Sequence, residues 1–184
     1  MITSSPSIVI GRDYAGLDDA CAVNEIAVIG NGFFILRDPA TNERFAAQAE
    51  NFSLDCHGFL VTGAGARLQG RINSATKTIG DLQINATGSP ASAAPEAAML
   101  CYSIDARGQI TVHLSDGTSF VRGQIMLQNF QDPEALVSQG NNLFSNLSAA
   151  GPLPAMSPPG KNGLGTVHWG VLEFSQAGST NWTN

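Results

Sequence analysis

Ile26-Ala27-Val28-Ile29-Gly30-Asn31-Gly32-Phe33-Phe34-Ile35-Leu36 decides the fold of this 184-residue chain. Four apolar residues precede a Gly-Asn-Gly break, and four more follow it. Each run has the length of a strand, and neither approaches the roughly 20 apolar residues that span a bilayer. Gly30, Asn31 and Gly32 tolerate positive φ, so the chain can turn or bulge between two buried strands. The stretch predicts a core hairpin or one sharply bulged strand, with a β-domain folded around it. A phosphate-binding loop would need the glycines to open a helix, and Phe33 to Leu36 is strand-like instead.

Composition points the same way. Hydrophobic residues make up 43% and charged residues 13%, which is globular rather than disordered. Sparse charge and 20 glycines favour a turn-rich β-fold over a helical bundle. The net charge is −6 with no basic cluster, which argues against nucleic acid and against an anionic membrane surface. Cys21, Cys56 and Cys101 are odd in number and widely spaced, so they give neither a metal-ligand spacing nor a disulfide framework. Met1 to Gly11 lacks the basic start and long apolar centre of a cleavable leader, so any export is expected to use another route.

Outward from the central stretch, turns punctuate short strands. Met1 to Pro6 reads as frayed and Ser7 to Ile10 as a short strand. Asp18-Asp19 reads as a solvated loop, because neighbours on a strand point to opposite faces and converge poorly. Arg37 to Asn42 is a turn, and Glu43 to Glu50 crosses back. Phe52 and Leu54 alternate with polar residues up to Asp55-Cys56-His57-Gly58, which has the type I form with Asp first and Gly last. Phe59-Leu60-Val61 returns. Asp55-Cys56-His57 could suggest a nucleophile, base and orienting acid, but sequence neighbours rarely face each other across hydrogen bonds. Turn chemistry accounts for Asp55 and Gly58. Leu82 and Ile84 are apolar points in a polar strand or loop.

Asn85 to Ala98, rich in small residues with two prolines, is a loop. Met99 to Ile104 and Gln109 to Leu114 flank an Asp105 to Gly108 turn. The second run alternates cleanly, placing Ile110, Val112 and Leu114 inward and His113 towards water. Ser115-Asp116-Gly117-Thr118 turns again, Phe120-Val121 begins a strand, and Gly123 to Phe130 forms another. Asp132 caps a helical turn with Pro133 in first position, stopped at Gly140. Residues 152–165 form a Pro/Gly-rich loop. Gly165 to Ser175 is the last strand, with His168 as a surface or satisfied histidine, and 176–184 is a flexible tail.

Several of these segments together resemble one family. Val28-Ile29-Gly30-Asn31-Gly32-Phe33-Phe34 resembles the Ile-x-Gly-x-Gly-Phe-Phe signature of the bacterial flagellar hook and distal-rod axial proteins. Asn51-Phe52 through Val61, the Leu68-Gln69-Gly70 run, and Tyr102 to Gly117 also resemble segments of that family. Gly123 to Phe144 and Gly165 to Ser175 extend the likeness, which spans about Ile8 to Ser175. The 102–117 run resembles hook proteins more than rod proteins. Family members commonly carry Thr-Arg-x-Gly before the Asn-Phe pair, where this chain has Ala47-Gln48-Ala49-Glu50.

The resemblance implies a mainly β, hairpin-rich hook/rod-type domain with long loops and at most one short helical turn. It implies one β-rich domain over 1–184, with 85–98 as a loop or abbreviated outer-domain insertion. Full-length relatives have polymerising helices at both ends, and no helical period of useful length is visible at either end here.

The implied role is a structural subunit of the flagellar hook or rod. The implied partners are copies of itself and other axial proteins, with no enzyme activity, cofactor or metal, and no nucleic acid or membrane insertion. Localisation would be the flagellum, with export lacking a cleavable leader. Asp55, His57, Gly58, Ser115, Asp116 and Gly117, at two turn tips, are the candidate subunit contacts, with the 85–98 loop. A secreted β-domain binding a carbohydrate or protein through Tyr102, Phe120, Trp169 or Trp182 is the alternative.

Overall fold

The computed structural model describes residues 24–73 and 76–169. Met1 to Pro6, the Ser7 to Ile10 strand, Asp18-Asp19, Cys21, Trp182 and the 176–184 tail lie outside them, as does the last strand beyond Trp169.

The central stretch forms two strands, Asn24–Ile29 (β1) and Phe33–Arg37 (β2). They do not pair with each other, so the hairpin expectation is wrong and the bulged-strand expectation holds. Both runs pair instead with one returning segment, Arg44–Ala47 (β3) and Ala49–Leu54 (β4). β2 meets β3 with Phe34 opposite Ala47, and β1 meets β4 with Ala27 opposite Ala49. Residues 28–33 on one side therefore lie against Gln48 alone on the other, and Val28 N donates to Gln48 O at 2.8 Å. Gly30 and Gly32 carry φ of 109° and 108°, where a side chain would be strained. A bulge of this size bends the ladder sharply.

The bend lets the sheet curl. Leu60–Thr62 (β5) pairs with β4, and Arg67–Arg71 (β6) joins β5 to β2. β4, β5 and β6 thus bridge from the β1 half of the long hairpin to the β2 half. β6 then forks: its far end pairs with Ile79–Asp81 (β7) and with Ser119–Ile125 (β10). β10 continues into the meander of Met99–Ile104 (β8) and Gln109–Leu114 (β9). Leu127–Gln128 (β11) lies on β2. Val137–Gly140 (β12) and Leu143–Ser145 (β13) form a hairpin on β3, and Thr166–Trp169 (β14) pairs with β1. Every one of these pairings is antiparallel, in a mainly β fold.

β2 explains its own composition. Phe33, Phe34, Ile35 and Leu36 are all buried, because the strand has a core on each face. Phe34 and Leu36 enter the main core with Ile26, Phe52, Leu68, Ile110 and Ile125. Phe33 and Ile35 enter a smaller core with Ala46, Phe130 and Ala150. Phe34 meets Phe52 edge to face at 6.2 Å, and Phe33 meets Phe130 at 5.5 Å. Such pairs add about 0.5–1.5 kcal/mol beyond the area they bury.

Ile110, Val112 and Leu114 point inward as their alternation predicts, and Leu82 and Ile84 are buried. Two expectations need correction. Gly123 to Phe130 is not one strand: β10 ends at Ile125 and β11 starts at Leu127 on a different neighbour, so the chain changes partner at Met126. The turn after Asp132 is a 3-10 helix over Pro133–Ala135, capped by Asp132 as expected but ended at Leu136. Val137 to Gly140 is strand rather than helix, because pairing with β13 takes over.

Candidate subunit-contact surface

Two of three hairpin tips use one device. At Asp55 to Gly58, Gly58 N donates to Asp55 O at 2.8 Å, while Asp55 Oδ1 accepts from His57 N and Phe59 N, both at 2.9 Å. Asp105 repeats this with Arg107 N at 2.9 Å and Gln109 N at 2.8 Å. A short acid that accepts from the turn's own backbone fixes the tip without any help from the core. The third tip departs in frame: Gly117 N donates to Leu114 O at 3.1 Å, so this turn closes one residue earlier than Ser115 to Thr118.

These tips are braced from behind. Ile84 N donates to Gly58 O at 2.7 Å, and Gln83 Nε2 to His57 O at 2.8 Å. A Cβ on Gly58 would lie 2.6 Å from Ile84 O, and its φ is +81°, so both space and backbone require glycine there. The Gly117 tip holds the 85–98 loop instead. Ala94 N donates to Asp116 Oδ2 at 2.7 Å, and Ala98 N to Ser115 Oγ at 3.0 Å. The bond from Ala94 N, then that from Thr118 N, holds the Asp116 carboxyl below its ordinary range.

Of the six candidate contact residues, Asp55, Ser115 and Asp116 therefore engage their side chains in hydrogen bonds within the chain, at the surface. His57 keeps an exposed ring, 3.3 Å from Cys56 Sγ, while the Asp55 carboxylate accepts from backbone rather than orienting that ring. His168 is exposed beside Thr166, and His113 contacts Ser103, each at 3.3 Å. Among the described residues, no three His, Cys, Asp or Glu side chains gather to hold a metal ion. Tyr102 and Phe120, partly buried, pack against the main core.

A polar cluster that sequence reasoning missed ties the Asp55 tip to the sheet. Asp81, on β7, accepts from Arg37 Nε at 2.9 Å and again from Arg37 Nη2. It also accepts from Gln69 Nε2 at 2.6 Å and Arg67 Nη1 at 3.1 Å. Burial alone would raise the Asp81 carboxyl, but the bonds from Arg37, Gln69 and Arg67 outweigh it and bring it down to about 2. Arg67 also stacks over Phe59, 3.9 Å from the ring centroid, and reaches Asp55 at 4.0 Å. Arg37, Gln69 and Asp81 are far apart in sequence, and only the pairing of β6 with both β2 and β7 reveals the cluster.

Two shallow grooves on the described surface border the elements above. One, of about 600 Å³, runs between the start of β3 and the Pro152-Leu153-Pro154 segment. The other, of about 400 Å³, lies between β4, the β5–β6 turn and the β12–β13 turn, with Glu50 in its wall. Neither is a deep enclosed site, and the surface is one of tips, edges and grooves.

Known proteins are similar to this chain in sequence. Residues 27–112 match the model of the flagellar hook protein FlgE/F/G D1 domain. The flagellar basal-body rod protein FlgG of Buchnera aphidicola subsp. Baizongia pistaciae is 28% identical over 155 residues, covering 84% of this chain and 51% of the relative. FlgG of Bacillus subtilis (strain 168) is 27% identical over 157 residues, 85% of this chain and 52% of the relative. The flagellar hook protein FlgE of Escherichia coli (strain K12) is 26% identical over 152 residues, 76% of this chain and 38% of the relative. The chain spans about half the length of the rod proteins it matches. These identities do not favour hook over rod. The domain match across β1 to β9 and the rod and hook relatives agree in one respect: the chain is similar to the flagellar hook and rod proteins.

Proposed function

We propose that this chain is a structural subunit of the flagellar rod or hook, acting through contacts with copies of itself and with other axial proteins in a helical tube. The observation that carries this reading is the D1-domain match laid on a sheet whose tips are fixed by their own Asp and Gly residues. A load-bearing subunit needs stiff tips that present the same surface to every neighbour. Repeated heterologous contacts of that kind build a helix rather than a closed ring. In this reading the β-rich domain acts as one unit, placed in the flagellum. The tips at Asp55, His57 and Gly58 and at Ser115, Asp116 and Gly117 supply contacts through exposed backbone and the His57 ring. The role is mechanical and asks no chemistry of any side chain.

The test is light scattering over a concentration series, on this chain and on the full product of its gene. Growth of polymers or tubes from the full product supports the reading. Monomers at every concentration for both would overturn it.

A further inference from the structure

Glu50 has a position that the tips and cores do not explain. It alternates with Phe52 on β4, so both side chains leave the same face of the strand, and Phe52 is fully buried. Glu50 is thus a carboxylate at the end of a core-facing column, opening into the 400 Å³ groove beside Asn51, Thr62, Gly63, Asn141 and Asn142. It is half-buried, and that burial raises its carboxyl above the ordinary range. Its hydrogen bond comes from the neighbouring Asn51 N, at 3.1 Å. The ion pairs among the described residues join Arg37 and Arg67 to Asp81, and Arg67 to Asp55, and none reaches Glu50. A half-buried carboxylate without a counter-charge lowers stability. Arg44, Lys77, Arg107 and Lys161, in turn, are exposed without an anionic partner among the described residues. One chain thus carries a recessed negative charge and free positive charges elsewhere, the two halves of a heterologous contact.

We propose that the Glu50 groove receives a Lys or Arg side chain from a second copy of this chain. The proposal rests on the assembly reading above and names one contact within it. Thr62 and the Asn51, Asn141 and Asn142 amides form the polar rim, and Glu50 supplies the charge. A guanidinium or ammonium entering there meets a carboxylate that is already partly stripped of water, where attraction is stronger than on open surface.

Two measurements test it. In the first, the 13C-carboxyl resonances of the labelled chain are followed while N-acetyl-arginine amide is added, with N-acetyl-norleucine amide as the uncharged control. A saturable shift at Glu50, absent at exposed Glu134 and absent with the control, supports the groove; no such shift overturns it. In the second, self-association is compared for the wild-type chain and Glu50→Gln, which keeps the shape and removes the charge. About tenfold weaker association for Glu50→Gln, with an unchanged circular dichroism spectrum, supports the contact. Equal association overturns the contact and leaves the assembly reading standing. A wild-type chain that stays monomeric overturns the second copy as occupant and leaves the assembly reading to the full gene product, and the probe titration then decides the groove's chemistry alone.

Discussion

Gly165 crosses the chain at Gly30 so closely that a Cβ on Gly165 would stand 2.3 Å from the Ile29 carbonyl oxygen and 2.9 Å from Gly30 Cα. Gly165 N also donates to Asn31 O at 2.7 Å. The bulge that bends the central hairpin is therefore clamped by a backbone passing over it, just before β14 joins β1. Gly165→Ala should cost about 1–3 kcal/mol, since only backbone movement relieves the overlap. Gly163→Ala is the control. A Cβ there meets open space, though its φ of +76° strains any side chain, so its cost should stay near 1 kcal/mol. Urea denaturation of the two variants gives the comparison, and equal costs would contradict the clamp.

Phe34 is fully buried in the main core and pairs edge to face with Phe52. Phe34→Ala should lose about 3–5 kcal/mol through lost burial and the cavity left behind. Thermal melting measures this, and a loss under about 1 kcal/mol would mean that the core closes over the gap.

Asp81 makes acid stability specific to one residue. Its folded value, about 2, lies below the ordinary 3.8, so its contribution is present above about pH 4 and is lost as pH falls towards about 2. At neutral pH, Asp81→Asn should be less stable than wild type by roughly 1–2 kcal/mol after allowance for solvent screening. Denaturation curves at stepped pH should show the two proteins converging near pH 2. A gap that stays constant with pH would show that the carboxylate's charge is not what ties β2, β6 and β7 together.

Asp116 governs a loop rather than the fold. Its carboxyl, held low by the bonds from Ala94 N and Thr118 N, keeps the 85–98 loop on the Gly117 tip above the ordinary carboxylate range, and the hold is lost as pH falls through its lower folded value. Asp116→Ala should speed hydrogen exchange at the Ala94 amide severalfold while leaving exchange in β2 unchanged. Protection at Ala94 equal to wild type would mean that the loop is held by something else.

Much of this was legible from residue pattern. The Ile110, Val112 and Leu114 alternation gave its inward face, and Asp55 and Asp105 gave their turns, because both signals are local. Phe33 to Leu36 announced a buried strand but neither its two cores nor its partners: one apolar run looks the same whichever strands flank it. The choice between hairpin and bulge at Gly30 to Gly32 depended on both runs pairing with the returning β3 and β4, and so could not be read locally. The change of sheet neighbour at Met126 was hidden for a similar reason, since Gly123 to Phe130 has uniform strand character. The Asp81 cluster and the recessed Glu50 come from register, which side-chain chemistry alone does not set.

The two cores on opposite faces of β2 have a consequence for how the described protein comes apart. Phe33 and Ile35 belong to one core, and Phe34 and Leu36 to the other, on adjacent positions of the same five-residue strand. Peeling that strand away strips both clusters at once, so neither can melt alone. Loss of secondary structure and loss of side-chain packing should then coincide in a single cooperative transition.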